Sequence, residues 1–223
     1  MLNRLLAALA LGIAVIASPT VPAAAAPRGQ SPAAQLSAAQ LSAEDRAAVA
    51  QAEQALNAIH TLQSRFVQLN PDGRQASGTF YLSRPGKMRL EYDAPVKDFI
   101  VADGLFLFYW DSEMKQQSST PIGSTLADFI LRPDIKLSGD VTVTDVFRAQ
   151  GVLEITLVET KDPRKGSLTL VFEDRPLQLR KWRVLDAQGL TTEVALLNPR
   201  VGVQLPSDLF YFKAPGSRQE HGG

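Results

Sequence analysis

Apolar positions recur at two different periods along the chain. From residue 42 onward they follow helical spacing. Val49, Ala52, Leu56, Ile59 and Phe66 lie at steps of three, four, three and seven, with Glu53, Asn57, Gln63 and Gln68 among the polar positions. Ser42-Ala-Glu-Asp45 has the form of a capping box, in which the serine accepts from the Asp45 backbone N–H and Asp45 reaches back. The spacing predicts a helix that opens at Ser42, closes through Phe66-Val-Gln68 and stops at Pro71-Asp72-Gly73.

Beyond Gly73 the period becomes two. Lys87–Tyr92 alternates cleanly, with Met88, Leu90 and Tyr92 on one face and Lys87, Arg89 and Glu91 on the other. Strands are expected at Ser77–Ser83, Lys87–Tyr92, Phe99–Ala102, Leu105–Trp110, Met114–Ser118, Val141–Arg148, Val152–Glu159, Ser167–Glu173, Leu177–Leu185, Thr191–Asn198 and Phe210–Phe212. Asp103-Gly104, Gln150-Gly151, Arg175-Pro176 and Gln188-Gly189 punctuate them as turns. Between the fifth and sixth strands, Ser124 or Thr125 caps a short helix through Leu126, Phe129, Ile130 and Leu131, which ends before Pro133. Short strands joined by tight turns make an antiparallel meander. The expected fold is mainly β with α: one curved antiparallel sheet of about eleven strands, curled partway and covered by the N-terminal amphipathic helix and the short mid-chain helix. One strand departs from alternation. Leu105-Phe-Leu-Phe-Tyr-Trp110 is apolar on both faces, so one face meets the core and the other needs a cover of chain, partner or ligand.

The chain ends and the composition narrow the setting. Arg4, an uncharged apolar run from Leu5 to Ala17 and the small residues Ala23 to Ala26 form an export signal, with cleavage expected after Ala23, Ala24 or Ala25. The run is short for a membrane span. An Ala/Pro/Gln/Ser-rich leader, 26–41, then precedes one domain, 42–216, and a disordered tail, 217–223. With no cysteine, the chain has neither a disulfide nor a site for its own lipid modification. Lys plus Arg and Asp plus Glu are 23 each, so loss of Arg4 with the signal leaves 22 against 23. Such a balance provides no global field for nucleic acid or an anionic membrane. Arg164–Lys165 and Arg180–Lys181 are short pairs of the kind found on solvated turns and strand faces.

Enzyme chemistry finds little to work with. His60 and His221 lie in no metal-ligand spacing, and no G-x-S-x-G context exists. Asp103, Asp162, Asp174 and Asp186 are explained by turns. The expectation is a non-enzyme without cofactor or metal.

Phe66-Val-Gln68, the run Gly78-Thr-Phe-Tyr-Leu-Ser-Arg-Pro-Gly-Lys-Met-Arg-Leu-Glu-Tyr92, Pro95, Ile100-Val-Ala-Asp-Gly104, Tyr109-Trp-Asp111 and Phe210-Tyr-Phe-Lys-Ala-Pro215 resemble the periplasmic outer-membrane lipoprotein carriers, the LolA family. The resemblance implies an open half-barrel of eleven strands with a helical lid. It also implies a monomeric carrier that takes triacylated lipoproteins from an inner-membrane ABC transporter complex, shields their acyl chains, and passes them to an outer-membrane receptor or to the outer membrane itself. Arg84 matches the family's arginine that holds the lid shut. Met88 and Leu90 stand where relatives carry bulky aromatics lining the acyl-chain cavity. Phe66, Phe80, Leu82, Phe108, Trp110, Phe129, Ile130 and Trp182 are the further lining candidates, with Phe129 and Ile130 on the lid. The alternative is a half-barrel sensor or regulator of the periplasm that binds a protein partner or lipid signal without transport.

Overall fold

The computed structural model describes residues 41–125 and 127–215. The expected signal and tail, and all of the leader except Leu41, lie outside the described residues. The chain opens with α1 (Ala43–Asn57), then runs through β1 (Thr61–Leu69), β2 (Gln75–Ser83), β3 (Lys87–Tyr92), β4 (Phe99–Asp103), β5 (Phe106–Asp111) and β6 (Gln116–Pro121). A single 3₁₀ turn, Ile122–Ser124, leads to α2 (Ala127–Leu131). The second half is β7 (Val141–Ala149), β8 (Val152–Glu159), β9 (Gly166–Asp174), β10 (Leu177–Asp186) and β11 (Thr191–Val201), followed by a 3₁₀ turn at Ser207–Phe210.

All eleven strands form one sheet in the order β6-β5-β4-β3-β2-β1-β11-β10-β9-β8-β7, and the pairings are antiparallel. Two meanders are thus joined where β1 pairs with β11. β6 and β7 are the unpaired edges, so the sheet is curved but open, as expected. The segment between those edges carries α2.

Two assignments need correction, and they cancel in the strand count. The helix stops at Asn57, and residues 61–69 are a strand. Leu62, Ser64, Phe66 and Gln68 are buried there at period two. Phe66 therefore sits on β1, at a position that also fits the helical period by coincidence of spacing. Phe210–Phe212 is not a strand. Phe210 closes the 3₁₀ turn, and Phe212 lies on the outer surface of the sheet with its ring centroid 5.6 Å from Phe99 and 5.1 Å from Phe108.

Local chemistry fixes the helix start. Ser42 Oγ accepts from the Asp45 N–H at 3.0 Å, and the Ser42 N–H donates to Asp45 Oδ2 at 3.2 Å. α1 buries Ala48, Ala52 and Leu56 against β7–β10 residues such as Leu153, Ile155 and Phe172. A second apolar body lies under β1–β5, with Phe66, Met88, Leu90 and Ile100. Ile130 of α2 and Trp182 of β10 touch both bodies. Each fully buried Leu or Ile contributes about 1.5–3 kcal/mol.

One close approach requires glycine. Gly78 pairs with Phe66 on one side and Tyr92 on the other. Those two rings meet edge to face with centroids 5.3 Å apart. A Cβ on Gly78 would stand 2.1 Å from the Glu91 carbonyl oxygen and 2.6 Å from the Phe66 ring.

Candidate functional site

An apolar cavity lies between the concave face of the sheet and the two helices. Period-two parity places Phe80 and Leu82 of β2 and Met88 and Leu90 of β3 on its wall, directly paired as Phe80 with Leu90 and Leu82 with Met88. β9 and β10 supply the opposite wall through Leu168, Leu170, Leu179, Trp182 and Val184. The cover is Leu56 and Ile59 at the end of α1, Ile130 of α2, and Ile135 after it. Phe80 and Trp182 meet across the cavity at 5.9 Å, 63° between planes. The free space left inside is about 60 Å³.

Among the described residues that line the cavity, Arg84 is the only charged one. Its Nη2 donates to the Asn57 carbonyl oxygen at 3.1 Å, at the C-terminal end of α1 where a cation is favoured. Nε and Nη1 are buried without a partner. Burial pushes the guanidinium below its ordinary pKa, and Asp134 acts in the opposite direction. Buried N–H donors without acceptors cost free energy, so Arg84 makes its hydrogen bond to the end of α1 at an internal cost.

The cover is tied down by hydrogen bonds that span long stretches of sequence, three of them from side chains of α1 to the main chain. Asn57 Nδ2 donates to the Ile135 carbonyl oxygen at 2.9 Å, while the Ile135 N–H donates to Asn57 Oδ1 at 2.9 Å. The Leu137 N–H donates to Glu53 Oε1 at 2.6 Å. The Gly86 N–H, in the β2–β3 turn, donates to the carbonyl oxygen of Leu131, the last residue of α2. Thus α1 is clamped to the chain after α2, and α2 is clamped to the β2–β3 turn beside Arg84.

At the far ends of β3 and β5, two buried tyrosines are fully partnered. Tyr92 Oη donates to Gln68 Oε1 at 2.8 Å, and Tyr109 Oη donates to Asp98 Oδ2 at 2.7 Å. Burial first of all drives both phenols well above their ordinary pKa. These groups stay neutral and serve the fold.

Of the residues expected from sequence, Phe80, Leu82, Arg84, Met88, Leu90, Ile130 and Trp182 converge on the cavity. Phe66 belongs to the same apolar body but packs on Tyr92 behind Gly78. Phe129 points into the cluster under α1. Phe108 and Trp110 require correction: they lie on the outer face of the sheet. β5 turns Leu107 and Tyr109 inward, so Phe108 and Trp110 face the other way by parity. There Trp110 packs with Phe99 and Val101 under Phe212 and Ala214, and Phe108 stacks on Phe212. The cover that a doubly apolar β5 demanded is the chain's own C-terminal segment. Arg89 reinforces it, donating from Nη1 to the Leu209 carbonyl oxygen at 3.2 Å and standing 4.9 Å over the Phe99 ring.

Of the wall contributed by β9 and β10, Trp182 was expected, while Leu168, Leu170, Leu179 and Val184 were missed. Leu168 and Leu170 alternate as a signal should. On β10 the register slips between Leu179 and Lys181, and this bulge brings Leu179 and Trp182 to one face although they are three residues apart.

Chemically, the site offers hydrocarbon and one guanidinium. Among the described residues no group of three or more His, Cys, Asp or Glu is placed to hold a metal ion, and His60 is exposed. No described helix is long and apolar enough to cross a membrane.

Comparison with known proteins matches residues 57–213 to the family model of the outer membrane lipoprotein carrier protein LolA. An outer-membrane lipoprotein carrier protein of Pseudomonas fluorescens is 30% identical over 183 residues, covering 77% of this chain and 86% of that protein. One from Methylococcus capsulatus is 29% identical over 168 residues, 72% of this chain and 80% of that protein. Among solved structures, an uncharacterized conserved protein from Thermus thermophilus superposes with a TM-score of 0.50 at 10% identity, over 78% of this chain and 97% of that one. This last likeness concerns the fold alone.

Proposed function

The chain belongs to the LolA family of periplasmic outer-membrane lipoprotein carrier proteins, and we propose that its covered apolar cavity is where the acyl chains of a triacylated lipoprotein are shielded during transit. The observation that carries this reading is the cavity itself: hydrocarbon on every wall, one cation, and a cover held by a few hydrogen bonds. An acyl chain in water loses about 0.8 kcal/mol per exposed methylene, so several long chains need such a wall to cross an aqueous compartment. No bond is made or broken, and the family is one of carriers rather than catalysts.

The 60 Å³ of free space is too little for one acyl chain. Loading therefore requires the cover to lift and the Phe80–Trp182 contact to part. Closing restores that contact and the hydrogen bonds to α1, which favours release. In this reading an inner-membrane ABC transporter complex loads the carrier, and an outer-membrane receptor or the membrane itself accepts the cargo. Arg84 is the latch, acting on α1 through the Asn57 carbonyl. The test is binding of an apolar fluorescent probe to the purified protein, followed by titration with a triacylated lipoprotein. Stoichiometric displacement is expected. A probe that binds and is not displaced by the lipoprotein overturns the assignment.

A further inference from the structure

The two edges of the open sheet are built differently. β7 is protected: its register slips between Val143 and Asp145, and it carries the exposed charges Asp145 and Arg148. A bulge and charges on an edge keep other strands away. β6 has neither. Its register with β5 is unbroken over six pairs, its sequence Gln116-Gln-Ser-Ser-Thr-Pro121 has no charge, and all six residues are exposed. The pairing pattern shows which backbone groups are free. The Ile122 N–H donates to the Leu105 carbonyl oxygen, which makes Phe106–Pro121 a non-hydrogen-bonded pair, and so on at every second position. Thr120, Ser118 and Gln116 therefore bond to β5, while the N–H groups of Ser119 and Gln117 point away from the sheet. Pro121 falls on the outward side, where a missing N–H costs the β5 ladder nothing.

We propose that this edge of β6 takes up the polypeptide tether of a bound lipoprotein as an added strand. The inference rests on the carrier reading above. Three features favour this occupant. β6 runs straight into buried Ile122 and the 3₁₀ turn before α2, so it adjoins the cover from under which a chain with its acylated end in the cavity must emerge. Recognition through backbone N–H and C=O groups is independent of side chains, which suits a carrier of many different proteins. The neutral Gln/Ser/Thr edge repels neither acidic nor basic tethers. A second copy of this chain is a poorer fit, because pairing β6 with itself joins five polar residues and a proline and buries little of the apolar area that a stable dimer needs.

Two synthetic probes test this on the full protein: a triacylated lipopeptide with an extended tether of about ten uncharged residues, and the same lipid on a dipeptide. Amide hydrogen exchange at Gln117 and Ser119 should slow with the long probe and stay unchanged with the short one. Ser119→Pro removes an outward donor at a position equivalent to Pro121 and should weaken the long probe about threefold to tenfold, leaving the short probe unaffected. Ser119→Ala, which keeps the N–H, should bind both as wild type does. Equal exchange with the two probes, or protection that follows protein concentration rather than the long probe, refutes the edge and leaves carriage standing. Failure of both probes to bind removes both readings. The exchange arm needs no variant, so a poorly folding Ser119→Pro does not obscure the result.

Discussion

Asn57 offers the most direct control over opening. Its side chain is the two-point clamp between the end of α1 and Ile135, with both hydrogen bonds at 2.9 Å. Asn57→Ala removes both and leaves the Asn57 carbonyl available to Arg84. Alanine is also a better helix former, so α1 itself is not weakened. At about 1 kcal/mol per hydrogen bond, the closed arrangement loses about 2 kcal/mol relative to the open one, or about 30-fold in that equilibrium. If acyl chains enter only the open form, apparent affinity scales with its population. The variant should then bind an apolar fluorescent probe up to about 30-fold more tightly and deliver a loaded lipoprotein to acceptor vesicles more slowly. Asn57→Asp retains the acceptor for the Ile135 N–H and should fall between the two. A folded Asn57→Ala protein with unchanged or weaker probe affinity would refute the idea that this clamp opposes loading.

Three further outcomes are expected. Arg84→Leu keeps the wall apolar and removes two unpartnered donors along with the bond to Asn57; it should retain lipoprotein binding but impair transfer to acceptor membranes, and unimpaired transfer would exclude Arg84 as the latch. Gly78→Ala drives a methyl into the Glu91 carbonyl and the Phe66 ring, at a cost of about 3 kcal/mol, so Tm should drop by about 6–12 °C; a Tm within about 2 °C of wild type counts against the packing described. Hydrogen bonds from Arg65 above all, then Ser77, hold the Asp93 carboxyl down at about 2. A depressed carboxylate contributes stability that is complete above its unfolded pKa of about 3.9 and is lost as pH falls toward 2. Arg65→Gln should move the Asp93 midpoint, followed by NMR, up toward that unfolded value, and a midpoint that stays near 2 would show that Arg65 is not the cause.

Much of the architecture was legible because it is encoded locally. The capping box at Ser42, the alternation of Lys87–Tyr92 and the turns at Asp103-Gly104 and Gln188-Gly189 depend on neighbours within a few residues, and each appears where its chemistry places it. Parity then carried Phe80, Leu82, Met88 and Leu90 to the cavity wall, because a strand's inward side is fixed once one residue on it is known.

What sequence left undecided depends on partners distant along the chain. The apolar residues of Thr61–Leu69 follow a helical spacing, with polar Ser64 and Gln68 on the side that becomes buried, and pairing with β2 and β11 is what makes the segment a strand. The apolar run of β5 announced two buried faces without saying which one meets the cavity. That was settled by a segment a hundred residues away, whose Phe212 seals Phe108 on the outside. Likewise, nothing local marks Asn57 as the clamp on Ile135, or ties Arg84 to the end of α1. Sequence by itself determined an exported, open antiparallel sheet with an apolar inner face, since periodicity and turn chemistry are short-range. Only the tertiary structure decided where that face closes into a cavity and what holds it shut, because those contacts exist only after the chain has curled back on itself.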